Sequence, residues 1–149
     1  SEPRVSQLGR LGTSHNYVDV SKHPEATIPP GLLIARPEAP LFFANVERIL
    51  LRVRHLAEAE QGAVHTVIIS LEETPDLDGS TIEALRTFAA GVASRGRRLL
   101  LVRLKPPALD VLTRSADDTL PLGALHELSV DEAVQSLALE AIGADAPAT

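Results

Sequence analysis

Thr66-Val67-Ile68-Ile69-Ser70-Leu71, the acidic stretch Glu72 to Asp78, and then Gly79-Ser80-Thr81-Ile82-Glu83-Ala84-Leu85 decide the fold. The first six residues are apolar and β-branched with no polar alternation, the pattern of a central strand buried on both faces. The last group fits a capping box, in which Ser80 accepts from the Glu83 amide and Glu83 reaches back. The helix it heads buries Ile82, Leu85, Ala89 and Val92 with Phe88 alongside, and ends at Arg95-Gly96, a cation and a left-handed terminator.

Working outward, the same alternation of strand and helix repeats. Upstream, Gly31 opens Leu32-Leu33-Ile34-Ala35, a buried strand closed by Pro37 and Pro40. Asn45 then caps a helix with Val46, Ile49, Leu50, Val53 and Leu56 or Ala57 on one face, ended by Gly62. Downstream, Leu99 to Leu104 is a strand, Pro106-Pro107 opens a short helix carrying Leu109 and Leu112 inward, and Leu125 to Leu128 reads as a last edge strand. Ser129 with Glu132 is a second capping box, heading a helix with Val134, Leu137, Ala138 and Ala141 on one face. Strand followed by helix, repeated from Leu32 onward, implies an α/β fold with a largely parallel sheet.

The remaining segments are predicted to be less regular. Residues 1–30 are punctuated by Gly9, Gly12, Pro24, Pro29 and Pro30, and read as a leader that is irregular before Tyr17. Within it, Tyr17 to Val20 is expected to pair as an edge strand beside Leu32 to Ala35. Residues 31–142 form the domain proper, and 143–149, small and polar from Gly143, form a flexible tail.

Composition removes several functional classes. At 149 residues, 44% hydrophobic and 23% charged, the chain is a foldable single domain, and the apolar runs Val67 to Ile69 and Leu99 to Val102 are too short to cross a bilayer. Zero cysteines exclude a disulfide scaffold, a thiolate zinc site and a cysteine nucleophile. A formal charge of −6 argues against a nucleic-acid partner, which requires basic surface. The start at Ser1 and the absence of any Met lead us to expect a piece of something longer.

Four stretches together resemble the STAS domain, the cytosolic C-terminal module of SulP/SLC26-type anion transporters. They are Leu8-Gly9-Arg10-Leu11 through Tyr17-Val18-Asp19-Val20 to His23-Pro24-Glu25-Ala26; Pro30-Gly31-Leu32-Leu33-Ile34 with Ala39 to Asn45 behind it; Asp76-Leu77-Asp78-Gly79-Ser80-Thr81; and Arg97 to Pro106. The resemblance implies a STAS, SpoIIAA-like fold, with about four or five strands in a mostly parallel sheet and about four or five helices. It further implies a non-catalytic regulatory and protein-interaction domain, without cofactor or metal, on the cytoplasmic side of the cell membrane as part of an integral membrane carrier of the sulfate, bicarbonate or dicarboxylate class. The partners it implies are the chain's own transmembrane transport domain, the second protomer of a homodimer, and soluble regulatory proteins or a nucleotide. The alternative is a stand-alone anti-sigma-factor antagonist switched by phosphorylation at Ser80; such relatives lack the leader.

Three clusters are candidate sites. Asp76, Asp78, Gly79 and Ser80 form a ligand- or partner-binding loop, with Ser80 and Thr81 as phosphorylation candidates, because a phosphate at a helix N-terminus meets unpaired amides. Against that, capping alone accounts for Ser80 and Glu83, and Asp76 and Asp78 oppose added negative charge. The same loop resembles the Asp-x-Asp-Gly-Thr signature of haloacid-dehalogenase-like phosphatases, but Glu72 to Pro75 separate Asp76 from the strand, so no enzyme is expected. Arg95, Arg97 and Arg98, with Arg103 further off, form a basic patch that is either a solvated helix end or a site for an acidic partner. Phe42-Phe43 is expected to anchor the first helix to the core. The histidines His15, His23, His55, His65 and His126 show no two-ligand spacing.

Overall fold

The computed structural model describes residues 4–145 and Pro147. Among them, five strands form one sheet in the order β2-β1-β3-β4-β5: β1 Val5–Arg10, β2 Tyr17–Asp19, β3 Leu32–Pro37, β4 Thr66–Ser70 and β5 Arg98–Val102. Strands β3, β4 and β5 run parallel, with Leu33 opposite Val67 and Val67 opposite Leu99. Helices α1 (Val46–Ala59), α2 (Gly79–Ser94), α3 (Pro106–Arg114) and α4 (Val130–Ala144) complete the STAS-type α/β architecture expected from the sequence.

Side-chain alternation along the parallel strands creates two cores. Leu33, Val67, Ile69, Leu99 and Leu101 face α1, α2 and α3, whose Ile49, Val53, Leu85, Ala89 and Leu112 close over them. Leu32, Ile34, Ile68, Leu100 and Val102 face the opposite way and meet Val130, Ala133, Val134 and Leu137 of α4. Each fully buried Leu or Ile contributes roughly 1.5–3 kcal/mol by leaving water. The α4 start is the capping box expected from the sequence, with Ser129 Oγ accepting from the Glu132 amide at 3.1 Å and the Ser129 amide donating to Glu132 Oε1 at 3.1 Å.

The leader departs from expectation. Val5–Arg10, expected to be irregular, is a six-residue strand that pairs antiparallel with both neighbours: Val5 lies opposite Pro37 of β3, and Arg10 opposite Tyr17 of β2. Tyr17–Asp19 is therefore an edge strand beside β1, not beside Leu32 to Ala35. Leu8 is the buried anchor of β1, at 1% exposure, so its sequence lacks an apolar alternation and its order comes from backbone pairing on both sides. Gly9 is needed in this strand because a Cβ there would come within 2.9 Å of Val20 Cγ1 and 3.1 Å of the Thr27 carbonyl, where the returning chain bridges Arg10. Asp19, also buried, accepts from the hydroxyls of Ser6 and Ser21 at 3.2 and 2.8 Å and from Arg4 at 3.3 Å. Burial pushes its carboxyl up, but Ser21, Ser6 and Arg4 outweigh that and hold it below its ordinary value.

Two smaller differences lie downstream. Leu125 to Leu128 does not form the expected edge strand; Leu125 makes a single parallel bridge to Leu101, after a 3-10 turn at Leu122–Ala124. The α4 helix runs through Ala144, so Gly143 and Ala144 of the expected tail are helical, and Ala146, Ala148 and Thr149 lie outside the described residues. Ala138 and Ala141, expected on its buried face, are exposed.

Candidate functional site

The expected cap of α2 is displaced by two residues. Helix α2 starts at Gly79 with Asp78 as its N-cap, in extended backbone, and Asp78 Oδ1 accepts from the Thr81 amide at 2.7 Å. Ser80 is the second helical residue and is solvent-exposed; it caps nothing. The reason is tertiary. Asp78 Oδ2 accepts from the Phe43 amide at 3.1 Å, so one carboxylate serves both the helix end and the loop after β3, which a hydroxyl at Ser80 cannot do. Hydrogen bonding from Thr81, and then from the Phe43 amide, holds the Asp78 carboxyl below its ordinary value.

A second bridge runs parallel to the first: the buried Thr74 hydroxyl accepts from the Leu41 amide at 3.1 Å. Asn45, positioned at the start of α1, does not cap it; its side chain turns back, accepting from the Phe42 amide at 2.9 Å and donating to the Pro40 carbonyl at 3.0 Å. These bonds stitch the β3–α1 and β4–α2 loops into one ridge at the C-terminal ends of β3 and β4. On that ridge stand Phe42 and Phe43, 45% and 70% exposed, edge to face with ring centroids 5.6 Å apart. They do not anchor α1 in the core as expected, because Leu41 and Val46 on either side already fill that place, at 3% and 2% exposure.

The other expected residues separate into different surroundings. Asp76 is exposed and accepts from the Leu77 amide at 2.8 Å, on a loop well past the end of β4 at Ser70. Thr81 is wholly buried, so of the two phosphorylation candidates only Ser80 is accessible. Glu72, at the start of the acidic stretch, pairs with Arg36 at 3.3 Å. The basic patch is split by strand alternation: Arg98 turns toward α4 and pairs with Glu140 at 2.6 Å, while Arg95 and Arg97 lie toward α1 and α2, donating to the carbonyls of Gly91 and Val64. Arg103 follows β5 in left-handed backbone, at φ 55. Among the described residues no group of three or more His, Asp or Glu is placed to hold a metal ion.

Known proteins place this geometry. The model of the STAS domain family matches residues 23–133. The chain belongs to the STAS domain family. Sulfate transporter 1.3 of Arabidopsis thaliana is 27% identical over 120 residues, and a probable sulfate transporter of Mycobacterium tuberculosis is 28% identical over 105. These matches span 75% and 70% of this chain but only 18% and 19% of the transporters, so this STAS domain corresponds to less than a fifth of the curated relatives. The murine solute carrier 26 family member A9 anion transporter, in its inward-facing state, superposes with a TM-score of 0.78 at 18% identity, over 91% of this chain and 22% of that one. The SulP transporter STAS domain of Vibrio cholerae gives 0.61 at 21% identity, over 85% of this chain and 94% of that domain. At these identities the two structures establish the shared STAS fold. Among the described residues no helix is long and apolar enough to cross a membrane.

The signal for the true cap was present in the sequence, since Asp is as good an N-cap as Ser. What the sequence withheld was the Phe43 amide, which selects Asp78. The exposure of Phe42 and Phe43 had no signal of its own, because an apolar pair after a strand reads equally as core or surface.

Proposed function

We propose that this STAS domain is the regulatory docking module of a sulfate-transporter-type anion carrier, positioned on the cytoplasmic side of the membrane. It acts without catalysis. Contacts with its own transmembrane transport domain, and with the second protomer of a homodimer, bias the carrier between its conformations. The observation that carries this reading is the exposed Phe42-Phe43 pair on a ridge pinned by Asp78, Thr74 and Asn45, a rigid apolar epitope with no role in the core. The sulfate transporters among its relatives support the attachment to a transport domain. The test is labelled-sulfate uptake by the intact carrier in lipid vesicles, comparing native protein with Phe42→Ser/Phe43→Ser. We expect a several-fold change in uptake with unchanged thermal stability of the STAS domain; unaltered uptake overturns the docking role of the ridge.

The accessibility of Ser80 in the first turn of α2 favours a second reading, in which phosphorylation at this residue switches a soluble partner. Intact-mass and peptide mass spectrometry of the protein from its own cells tests it. Phosphate on Ser80 supports this reading, and none across growth and stress conditions removes it.

A further inference from the structure

A groove of about 910 Å³ lies between α1 and α2, and Val67 of β4 is part of its lining. Its apolar part is formed by Leu50, Leu51, Ala84 and Phe88, and Leu51 is 48% exposed at its edge. The charges are segregated along its length. At one end, where both helices begin, stand Glu47 and Glu83; at the other, where both helices finish, stand Arg54, Arg95 and Arg97. The two helices run parallel, because each returns antiparallel to one of the parallel strands β3 and β4.

Neighbouring charges soften this polarity without reversing it. Glu58 pairs with Arg54 at 3.0 Å, leaving Arg95 and Arg97 without a carboxylate partner within salt-bridge distance among the described residues, and Arg86 lies 3.5 Å from Glu83, leaving Glu47. The negative dipole ends of α1 and α2 coincide with the arginines, and their positive ends with the glutamates.

We infer that this groove docks one antiparallel amphipathic helix, carrying acidic residues in its first turn and basic residues in its last. Such a helix places its positive dipole end beside the C-termini of α1 and α2, and its acidic first turn against Arg54, Arg95 and Arg97. Its basic last turn meets Glu47 and Glu83, and an apolar stripe lies over Leu50, Leu51, Ala84 and Phe88. At 1.5 Å per residue, the stretch from Glu47 to Ala57 is about 15 Å, room for roughly three turns of the incoming helix. The acidic end of this groove, at Gly79 and Ser80, adjoins the Asp78 that pins the Phe42-Phe43 ridge, but its occupancy does not depend on the transporter reading.

A display library of helix-forming peptides of about 14 residues, selected against the whole chain, tests this directly. Selected peptides are expected to share acidic first turns and basic last turns, and to lose at least about tenfold in affinity by fluorescence anisotropy toward Leu51→Arg and Thr87→Arg. Both substituted positions are exposed, so circular dichroism and thermal melting of the variants should match the native chain. The paired variant Glu83→Lys/Arg95→Glu should weaken the same peptides. Peptides with the opposite or no common charge order, or affinity indifferent to Leu51→Arg and Thr87→Arg, overturn the inference. So does self-association of the chain lost in those variants, or uptake of dodecanoate in the groove when no peptide is selected.

Discussion

Asp78 and Phe43 are joined across two loops by a 3.1 Å hydrogen bond from the Phe43 amide to Asp78 Oδ2, while Asp78 Oδ1 caps α2 at the Thr81 amide, 2.7 Å away. One side chain thus starts a helix and holds the aromatic ridge.

Replacing this cap is expected to cost far more than replacing Ser80. Asp78→Ala should lose about 0.5–2 kcal/mol, and Ser80→Ala should stay within about 0.5 kcal/mol, because Ser80 caps nothing. Chemical denaturation of the two variants side by side measures both, and equal losses would contradict the assignment of the cap.

Acid should weaken the same junction. The Asp78 carboxyl is held below its ordinary value by hydrogen bonding from Thr81, so its contribution is fully present above the unfolded value and disappears as pH falls through the lower folded one. Native stability should therefore fall below about pH 4 more steeply than that of Asp78→Asn, which has no charge to lose. Denaturation midpoints from pH 7 to pH 2 provide the comparison; parallel curves would count against this linkage.

Removing the leader should damage the fold. Because β1 lies between β2 and β3 and buries Leu8, deletion of residues 1–16 strips β3 of its neighbour and exposes an edge that recruits other chains. Size-exclusion chromatography should show aggregation or loss of the monomer, whereas Leu8→Ala in the full chain should remain monomeric and lose about 2–5 kcal/mol. A monomeric, cooperatively melting truncation would show β1 to be dispensable.

Gly31 marks the most restrictive backbone position before the parallel sheet. It adopts φ +79, and a Cβ there would come within 2.4 Å of the His65 ring, while its carbonyl accepts from the His65 amide at 2.8 Å. Gly31→Ala should cost at least about 1–2 kcal/mol from the left-handed backbone alone. Combining it with His65→Ala should recover only the part due to the clash. Thermal melts of the single and double variants separate the two contributions, and a single variant as stable as the native chain would refute the strain.

Local pattern was sufficient for most of the regular elements. The helical spacing of Val46, Ile49, Leu50 and Val53, the buried face Ile82, Leu85, Ala89 and Val92, and the apolar runs of β3, β4 and β5 each report burial through their own period, so their identity was legible residue by residue. The Ser129-Glu132 box was equally legible, because both partners lie within one turn.

Tertiary structure decided what depends on distant partners. Whether Ser80 or Asp78 caps α2 was settled by the Phe43 amide, whether Val5–Arg10 is a strand by two flanking backbones, and whether Arg95, Arg97 and Arg98 act together by the alternation of β5 and the reach of Glu140. The exposed Phe42-Phe43 pair and the charge-segregated groove belong to the same class. The groove has no periodic signature because α1 and α2 are far apart in the chain and only packing brings them side by side, and the Phe42-Phe43 pair is left outside because Leu41 and Val46 take the core places beside it.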